Sequence, residues 1–183
     1  LLKRELPAAA IRRIWDTLPE HAFLRLSADQ LEWATEAVIH GEDEYRKRDQ
    51  AARPGMEVHI AVRGVQPHGV SELLVSVPDH DGLFASITSV LDEMGFNVLA
   101  ARILTTKDGR SFDLFQLMDQ QDNLINQQDA ADLVERLRAA TTAAEVRPLV
   151  KRAMPRRLRH FVSHPLIRFE PDPEGMGTIL ELE

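Results

Sequence analysis

The sequence predicts an α+β fold in which an antiparallel sheet packs against helices and follows an N-terminal helical segment. Two observations lead to this prediction: the apolar period changes from helix-like to strand-like near residue 55, and strand and helix patterns then alternate. Hydrophobic residues make up 44% and charged residues 28% of the 183, which is ordinary for a globular protein. We expect one core, one core with an appended segment, or two small units.

Bulk properties argue against several classes of protein. The formal net charge of -7 argues against a general affinity for nucleic acid, and no apolar run approaches a membrane span. The absence of cysteine excludes disulfides, thiolate nucleophiles and cysteine-based zinc sites. We expect a cytoplasmic chain that binds neither nucleic acid nor membrane. Its first residues lack an initiator Met and are typical of the interior of a longer protein.

The sequence of the N-terminal third predicts helices. Ser27 and Gln30 have the spacing of a capping box and open a helix that we expect Gly41 to close. An upstream helix is predicted over residues 8–18, stopped by Pro19. The charged stretch over residues 41–55, which ends in Pro and Gly, is interpreted as a linker into the next unit.

Strand and helix patterns follow this linker in a recognisable order. MEVHIAVRGV and GVSELLVSV predict successive strands separated by the turn signal QPHG. A helix is predicted next, with Gly95 as its C-cap and with apolar residues at helical spacing: Leu83, Phe84, Ile87, Val90, Leu91 and Met94.

Two further strands and a helix are predicted after Gly95. FNVLAARILTT and SFDLFQLMD flank an Asp-Gly turn, and Asn126 or Asp129 can cap a helix that ends near Ala140. A last strand over residues 145–150 would complete βαββαβ, a ferredoxin-like unit with both helices on one face of the sheet.

The end of the chain repeats an earlier segment at a constant offset of 106 residues. Pro67, His68 and Gly69 correspond to Pro173, Glu174 and Gly175, and the apolar residues of the following strand also correspond. We therefore predict three parts: a helical connector over 1–54, a βαββαβ domain over 55–150, and a linker with the opening strands of a second such domain over 151–183. The basic run from Lys151 to Phe161 is interpreted as a solvated linker.

The stretch PDHDGLFASI, between a strand and a helix, contains the candidate site. A metal at His80 and Asp81 would need further converging ligands, and the seven histidines show no helical pairing that supplies them. Catalysis by Asp79 and Asp81 lacks an orienting base or an oxyanion glycine cluster. We expect at least one of the two aspartates to cap the helix that starts near Gly82. The same loop can also receive an amino acid, with helix N–H groups taking its carboxylate and an Asp its ammonium.

The run VSVPDHDGLFASITSVLDEMGFNVLAARILTTKDG resembles an ACT domain, a regulatory βαββαβ module that binds amino acids. FLRLSADQLEW, RILTTKDGRSFDLFQLMD and LRHF are similar to the C-terminal part of the bifunctional uridylyltransferase/uridylyl-removing enzymes that act on the PII nitrogen-signal protein. This resemblance spans most of the chain. It implies a connector after a missing HD hydrolase domain, a first ACT domain and a truncated second one.

The resemblance also implies a function and site residues. Asp79, Gly82, Leu83 and Asn97 stand at family positions for effector contact, while Asp81 stands where the family has Pro and adds a negative charge beside the pocket. The implied effector is glutamine, and the implied partners are PII through the parent enzyme and another ACT domain or a second copy. The parent is implied to use Mg and UTP, whereas no catalytic residue, metal ligand or cofactor site is predicted in this chain.

Two further hypotheses remain open at this stage. The chain can be an interaction module for domain packing or dimerisation while a second ACT domain senses glutamine; ACT modules commonly pair edge to edge. It can also be a free-standing enzyme, although no evident nucleophile supports that.

Overall fold

A computed structural model describes residues 6–48, 57–66, 69–142, 167–171 and 178–182. The chain forms two compact units, residues 1–149 and 150–183. The first contains five helices and four strands among its described residues: α1 (Ala8–Thr17), α2 (Ala22–Arg25), α3 (Ala28–Arg48), β1 (His59–Val65), β2 (Val70–Ser76), α4 (Leu83–Glu93), β3 (Asn97–Arg102), β4 (Asp113–Met118) and α5 (Gln127–Thr142). The second contains β5 (Ile167–Pro171) and β6 (Thr178–Leu182).

The N-terminal helices follow local sequence signals at their starts more closely than at their ends. Ser27 and Gln30 form the predicted capping box, since the N–H of Gln30 donates to Ser27 Oγ and the N–H of Ser27 donates to Gln30 Oε1, both at 3.1 Å. The prediction that Gly41 ends this helix is wrong, because α3 continues to Arg48 and so includes half of the expected linker. Gly41 instead lies against the ring of His59: a Cβ at this position would be 2.4 Å from His59 Nδ1.

The central sheet is antiparallel in the order β1-β2-β4-β3. The elements β2, α4, β3, β4 and α5 follow the predicted order, and β1 pairs with β2 from His59↔Ser76 to Val65↔Val70. Both edges of β2 are therefore paired, one with β1 and one with β4. The strand predicted over residues 145–150 lies outside the described residues, and the place beside β2 that it would take in a βαββαβ unit is held by β1.

Helices cover both faces of this sheet. On one face, α4 and α5 close a core with the inward residues of the strands, a cluster that includes Leu73, Val75, Ile87, Phe115, Leu117, Leu133 and Leu137. On the other face, α1 and α3 close a second core that includes Ile14, Leu18, Leu31, Val38, Leu74, Phe112 and Leu114. Because successive side chains of a strand point to opposite faces, β2 and β4 contribute to both cores. The helical connector thus shares a compact unit with the sheet.

The ends of the helices that flank the sheet agree with their sequence signals. Gly95 has φ of 74° and its N–H donates to the carbonyl oxygen of Asp92, while the N–H of Phe96 donates to that of Leu91, so the glycine ends α4 as predicted. Of the two predicted caps for α5, Asn126 is the one used, since its Oδ1 accepts the N–H of Asp129 at 2.9 Å.

The second unit is described only as the hairpin of β5 and β6. Ile167 pairs with Leu182, whereas the offset of 106 residues from β1 and β2 would pair it with Leu180. The hairpin therefore recurs, as the repeat indicates, with a pairing shifted by two residues.

Candidate effector site

The loop after β2 is held in place by the long connection between β3 and β4. The backbone N–H of Asp79 donates to the carbonyl oxygen of Gly109 at 3.1 Å, and Pro78 forms an isolated β-bridge with Arg110. The hydroxyl of Thr105 donates to Asp79 Oδ2 at 3.2 Å. These contacts fix an exposed carboxylate directly before α4, and among the described residues nothing donates to its other oxygen, Oδ1.

The start of α4 has no side-chain cap, so the expectation that Asp79 or Asp81 caps this helix is wrong. The N-cap position is taken by Gly82 with φ of 81°, which turns the chain into the helix without a polar side chain. The carboxylate of Asp79 is instead engaged by Thr105. The N–H of Leu83 donates to the carbonyl oxygen of His80 at 3.1 Å. The next N–H groups, of Phe84 and Ala85, have no intrahelical partner, so this helix start presents two backbone donors at the positive end of a helix dipole.

The predicted effector residues fall into two places. Asp79, Asp81 and Gly82 lie together in the loop, while Leu83 is 3% exposed and packs into the core beneath it. Asn97 begins β3 at the opposite end of α4, a helix of 11 residues that is about 16 Å long. Its side chain donates to the carbonyl oxygen of Asp119 at 3.3 Å. Within one domain, Asn97 and Asp79 do not meet at one small ligand.

His80 is engaged by the backbone rather than by carboxylates. Its Nδ1 lies 3.0 Å from the carbonyl oxygen of Asp81, and its Nε2 lies 3.4 Å from that of Thr141 at the end of α5. Across the part of the chain that the structure describes, no group of three or more His, Cys, Asp or Glu side chains is placed to hold a metal ion.

Asp113 is a buried carboxyl near this loop that the sequence analysis did not single out. It is 2% exposed, and its Oδ1 accepts the N–H of Leu104 at 3.1 Å. Its pKa is raised from 3.8 to about 7, chiefly by burial; the hydrogen bond from Leu104 opposes this rise, and the charge of Asp79 adds to it. A signal was present, because the alternation of β4 places Asp113 on the same face as Phe115 and Leu117, which belong to the α4 core.

Phe84 adds an apolar wall at the same place. It is one of the apolar residues at helical spacing in α4, but its side chain is 50% exposed and its ring stacks on Phe115 with centroids 6.3 Å apart. The loop therefore combines uncapped N–H groups, an exposed carboxylate and an exposed aromatic ring. This is a combination that suits a small zwitterion.

Comparison with known proteins agrees with the fold. The ACT domain family matches residues 71–141. The chain is 30% identical over 174 residues to the bifunctional uridylyltransferase/uridylyl-removing enzyme of Xanthomonas campestris pv. campestris (strain B100), covering 95% of this chain and 19% of that protein. It is 31% identical over 172 residues to the protein of the same name from Xanthomonas axonopodis pv. citri (strain 306), covering 94% of this chain and 18% of that protein. It is 27% identical over 163 residues to the protein of the same name from Acinetobacter baylyi (strain ATCC 33305 / BD413 / ADP1), covering 87% of this chain and 17% of that protein.

This chain thus spans about a fifth of the length of the relatives it matches. No helix in the part of the chain that the structure describes is long and apolar enough to cross a membrane.

Proposed function

From the match of residues 71–141 to the ACT domain family, we propose that the chain is the regulatory, amino-acid-sensing part of a PII uridylyltransferase/uridylyl-removing enzyme, with glutamine as its effector. The observation that carries the proposal is the uncapped start of α4 beside the exposed carboxylate of Asp79. The proposed parent is supported by similarity over 95% of the chain to bifunctional uridylyltransferase/uridylyl-removing enzymes.

An α-amino acid carries the two groups that this loop complements. Its carboxylate accepts from the backbone N–H groups at the start of α4, where Gly82 has no Cβ to obstruct a close approach. Its ammonium pairs with Asp79, whose Oδ1 is open to a ligand. Phe84 borders the side chain of the bound amino acid.

Asp81 sets the affinity of this pocket. Its side chain is exposed next to the helix start, where a negative charge opposes the carboxylate of the ligand. Replacing Asp81 by Pro, the residue at this position in the family pattern, is therefore expected to strengthen binding.

Regulation follows from linkage between the effector and the activities of the parent. Glutamine must bind more tightly to the arrangement that removes UMP from PII than to the one that adds it, and couplings of this kind are typically about 1–3 kcal/mol. The transfer reaction, with Mg and UTP, is assigned to parts of the parent outside this chain. The same assignment makes the chain cytoplasmic.

Calorimetry of the 183-residue chain with L-glutamine tests this function. We expect saturable heat with wild type, a loss of at least about tenfold in affinity for Asp79→Asn, and no change for Asp132→Asn on the exposed side of α5. D-Glutamine is the ligand control. A folded chain that gives no saturable heat with millimolar L-glutamine contradicts the proposal.

A second candidate, an interaction module, is favoured by the free edge of the sheet. β3 has a single neighbour among the described strands, and it exposes Val98 and Leu99, with Ile103 following, at 45%, 53% and 43%. An exposed apolar edge strand is a template for pairing with another sheet. Light scattering behind size exclusion distinguishes the candidates: a dimer that Leu99→Lys converts to monomer, in a chain that does not bind glutamine, supports this second function.

A further inference from the structure

A polar groove of about 850 Å³ lies on the face of the sheet opposite α4, where the connector leaves the sheet uncovered. Its floor is formed by Arg63 on β1, Glu72 on β2, Gln116 on β4 and Arg102 on β3. One wall is the start of α3, including Gln30. Adjacent strands are separated by about 4.8 Å, so a groove that runs from β1 to β3 is about 14 Å long. Its volume is in the range of small-molecule sites.

A buried network makes this floor rigid. Glu72 is 3% exposed and accepts from Gln30 at 2.6 Å, from Arg63 Nε at 2.8 Å and from Arg63 Nη2 at 2.6 Å. The guanidinium of Arg63 also pairs with Asp29, and it lies 4.6 Å from the ring centroid of Trp33. The charges of Glu72 and Arg63 are therefore paired with each other and with neighbouring side chains. These two residues shape the floor of the groove, and their charged groups are already engaged by the protein.

Arg102 is different, because no carboxylate among the described residues pairs with its charge. Its Nε donates to the carbonyl oxygen of Arg25 at 2.8 Å, which fixes the orientation of the guanidinium. Within the described ranges, Arg102 forms no ion pair with a carboxylate, and it lines the groove although it is only partly exposed. A guanidinium held in one orientation presents planar donors that match a carboxylate or a phosphate.

We propose that this groove binds a small organic anion, with its carboxylate or phosphate on Arg102, its polar middle on Gln116 Oε1, and its aliphatic part on Val65 and Val70. The side-chain amide N–H of Gln116 donates to Glu72 at 3.4 Å, so its oxygen is the atom that a ligand can contact. The chain provides apolar contact at the β1 end and a preoriented cation at the β3 end. The ligand is therefore elongated and charged at one end. A bare inorganic ion would leave the apolar end of the groove uncovered.

This site is separate from the effector loop. Arg102, Glu72 and Leu114 lie on the connector face, whereas Phe115 and the start of α4 belong to the other face. The proposal does not depend on glutamine binding. Ligands at the two sites should shift different sets of backbone amides in the ¹⁵N spectrum of the chain.

The test is titration of the ¹⁵N-labelled chain with 3-hydroxyvalerate and with 2-hydroxybutyl phosphate. Each has a carboxylate or a phosphate at one end, a hydroxyl in the middle and an aliphatic group at the other end. 1,2-Butanediol is the neutral control. We expect saturable shifts confined to the amides near Arg63, Val70, Arg102 and Gln116 with at least one of the two anions. The anion that saturates at lower concentration identifies the charged group.

Variants decide whether the groove itself is responsible. Arg102→Gln should weaken binding at least about tenfold, since it removes a charge-assisted contact. Arg102→Lys, which keeps the charge without the fork, should weaken it less. Val65→Phe should reduce binding by filling the groove, and it leaves the charges intact if Arg102 variants fail to fold. Arg136→Gln, on α5 across the sheet, is the charge control and should bind as wild type does.

Three results overturn the proposal. Shifts that grow linearly without saturation indicate non-specific screening. An equal loss in Arg136→Gln indicates net charge rather than a site. Saturable shifts at Gly82 and Phe84 instead of the groove place the anion at the start of α4.

Discussion

Replacement of Asp113 by Asn should change how stability depends on pH. The carboxyl is 2% exposed, and its pKa rises from 3.8 to about 7 on folding, chiefly through burial and secondarily through Asp79. Because the folded pKa is the higher one, the stabilising contribution of Asp113 is complete below pH 3.8 and is lost as pH rises to about 7. The shift corresponds to at most about 4 kcal/mol at pH 8.

Asn keeps an acceptor for the N–H of Leu104 and cannot ionise. The free energy of unfolding of Asp113→Asn, minus that of wild type, should therefore increase by up to about 4 kcal/mol from pH 4 to pH 8. Any fixed cost of burying the amide shifts this difference without changing its dependence on pH, so the slope is the informative quantity.

The assay is urea unfolding of both chains at half-unit intervals between pH 4 and pH 8, followed by circular dichroism. Taking the difference removes other titrating groups, which are shared by both chains. Asp132→Asn, at an exposed position on α5, should give a flat difference. A difference between Asp113→Asn and wild type that stays flat across this range, or that falls with pH, refutes the reasoning.

The remaining predictions use the same unfolding assay. The pKa of His59 is lowered from 6.5 to about 4, chiefly by burial and further by the charge of Arg110. The free energy of unfolding of wild type should therefore fall by up to about 3 kcal/mol as pH falls from 6.5 to 4. His59→Gln should remove this loss, and an unchanged loss of stability at acid pH in the variant contradicts the prediction. Gly41→Ala should cost about 1–3 kcal/mol, because a Cβ would be 2.4 Å from His59 Nδ1. Gly64→Ala, where the nearest atoms are 3.6 Å away, is the matched control, and equal costs would refute the steric reason. Ser27→Ala should cost about 1 kcal/mol by removing the cap of α3, and a neutral result would mean that the capping bond contributes nothing.

Local signals predicted most of the fold. The capping box at Ser27 and the C-cap at Gly95 involve groups within a few residues of each other, so their geometry is encoded locally. The extension of α3 past Gly41 could not be predicted in this way. The absence of a Cβ there is explained by contact with His59, a residue of another element.

The place of the candidate loop between β2 and α4 was predictable from the sequence, but the contacts of its side chains were not. The loop at Asp79 and Gly82 was recognised from its sequence. The contact of the Asp79 carboxylate, however, is with Thr105, which lies in the connection between β3 and β4 and is distant in sequence. The separation of Asn97 from the loop follows from the length of α4 and the direction of β3. Whether Arg102 meets a carboxylate depends on how the connector covers the sheet, which no local pattern encodes; in the part of the chain that the structure describes, it contacts the carbonyl oxygen of Arg25 and no carboxylate.

The most direct test of the central claim is the amide spectrum of the ¹⁵N-labelled chain during titration with L-glutamine. The account predicts saturable shifts concentrated at Gly82, Phe84 and Ala85 at the start of α4, accompanied by Asp79 and Thr105, with the amides around Arg102 unaffected. Saturable shifts elsewhere, or none in a folded chain at millimolar glutamine, would contradict it.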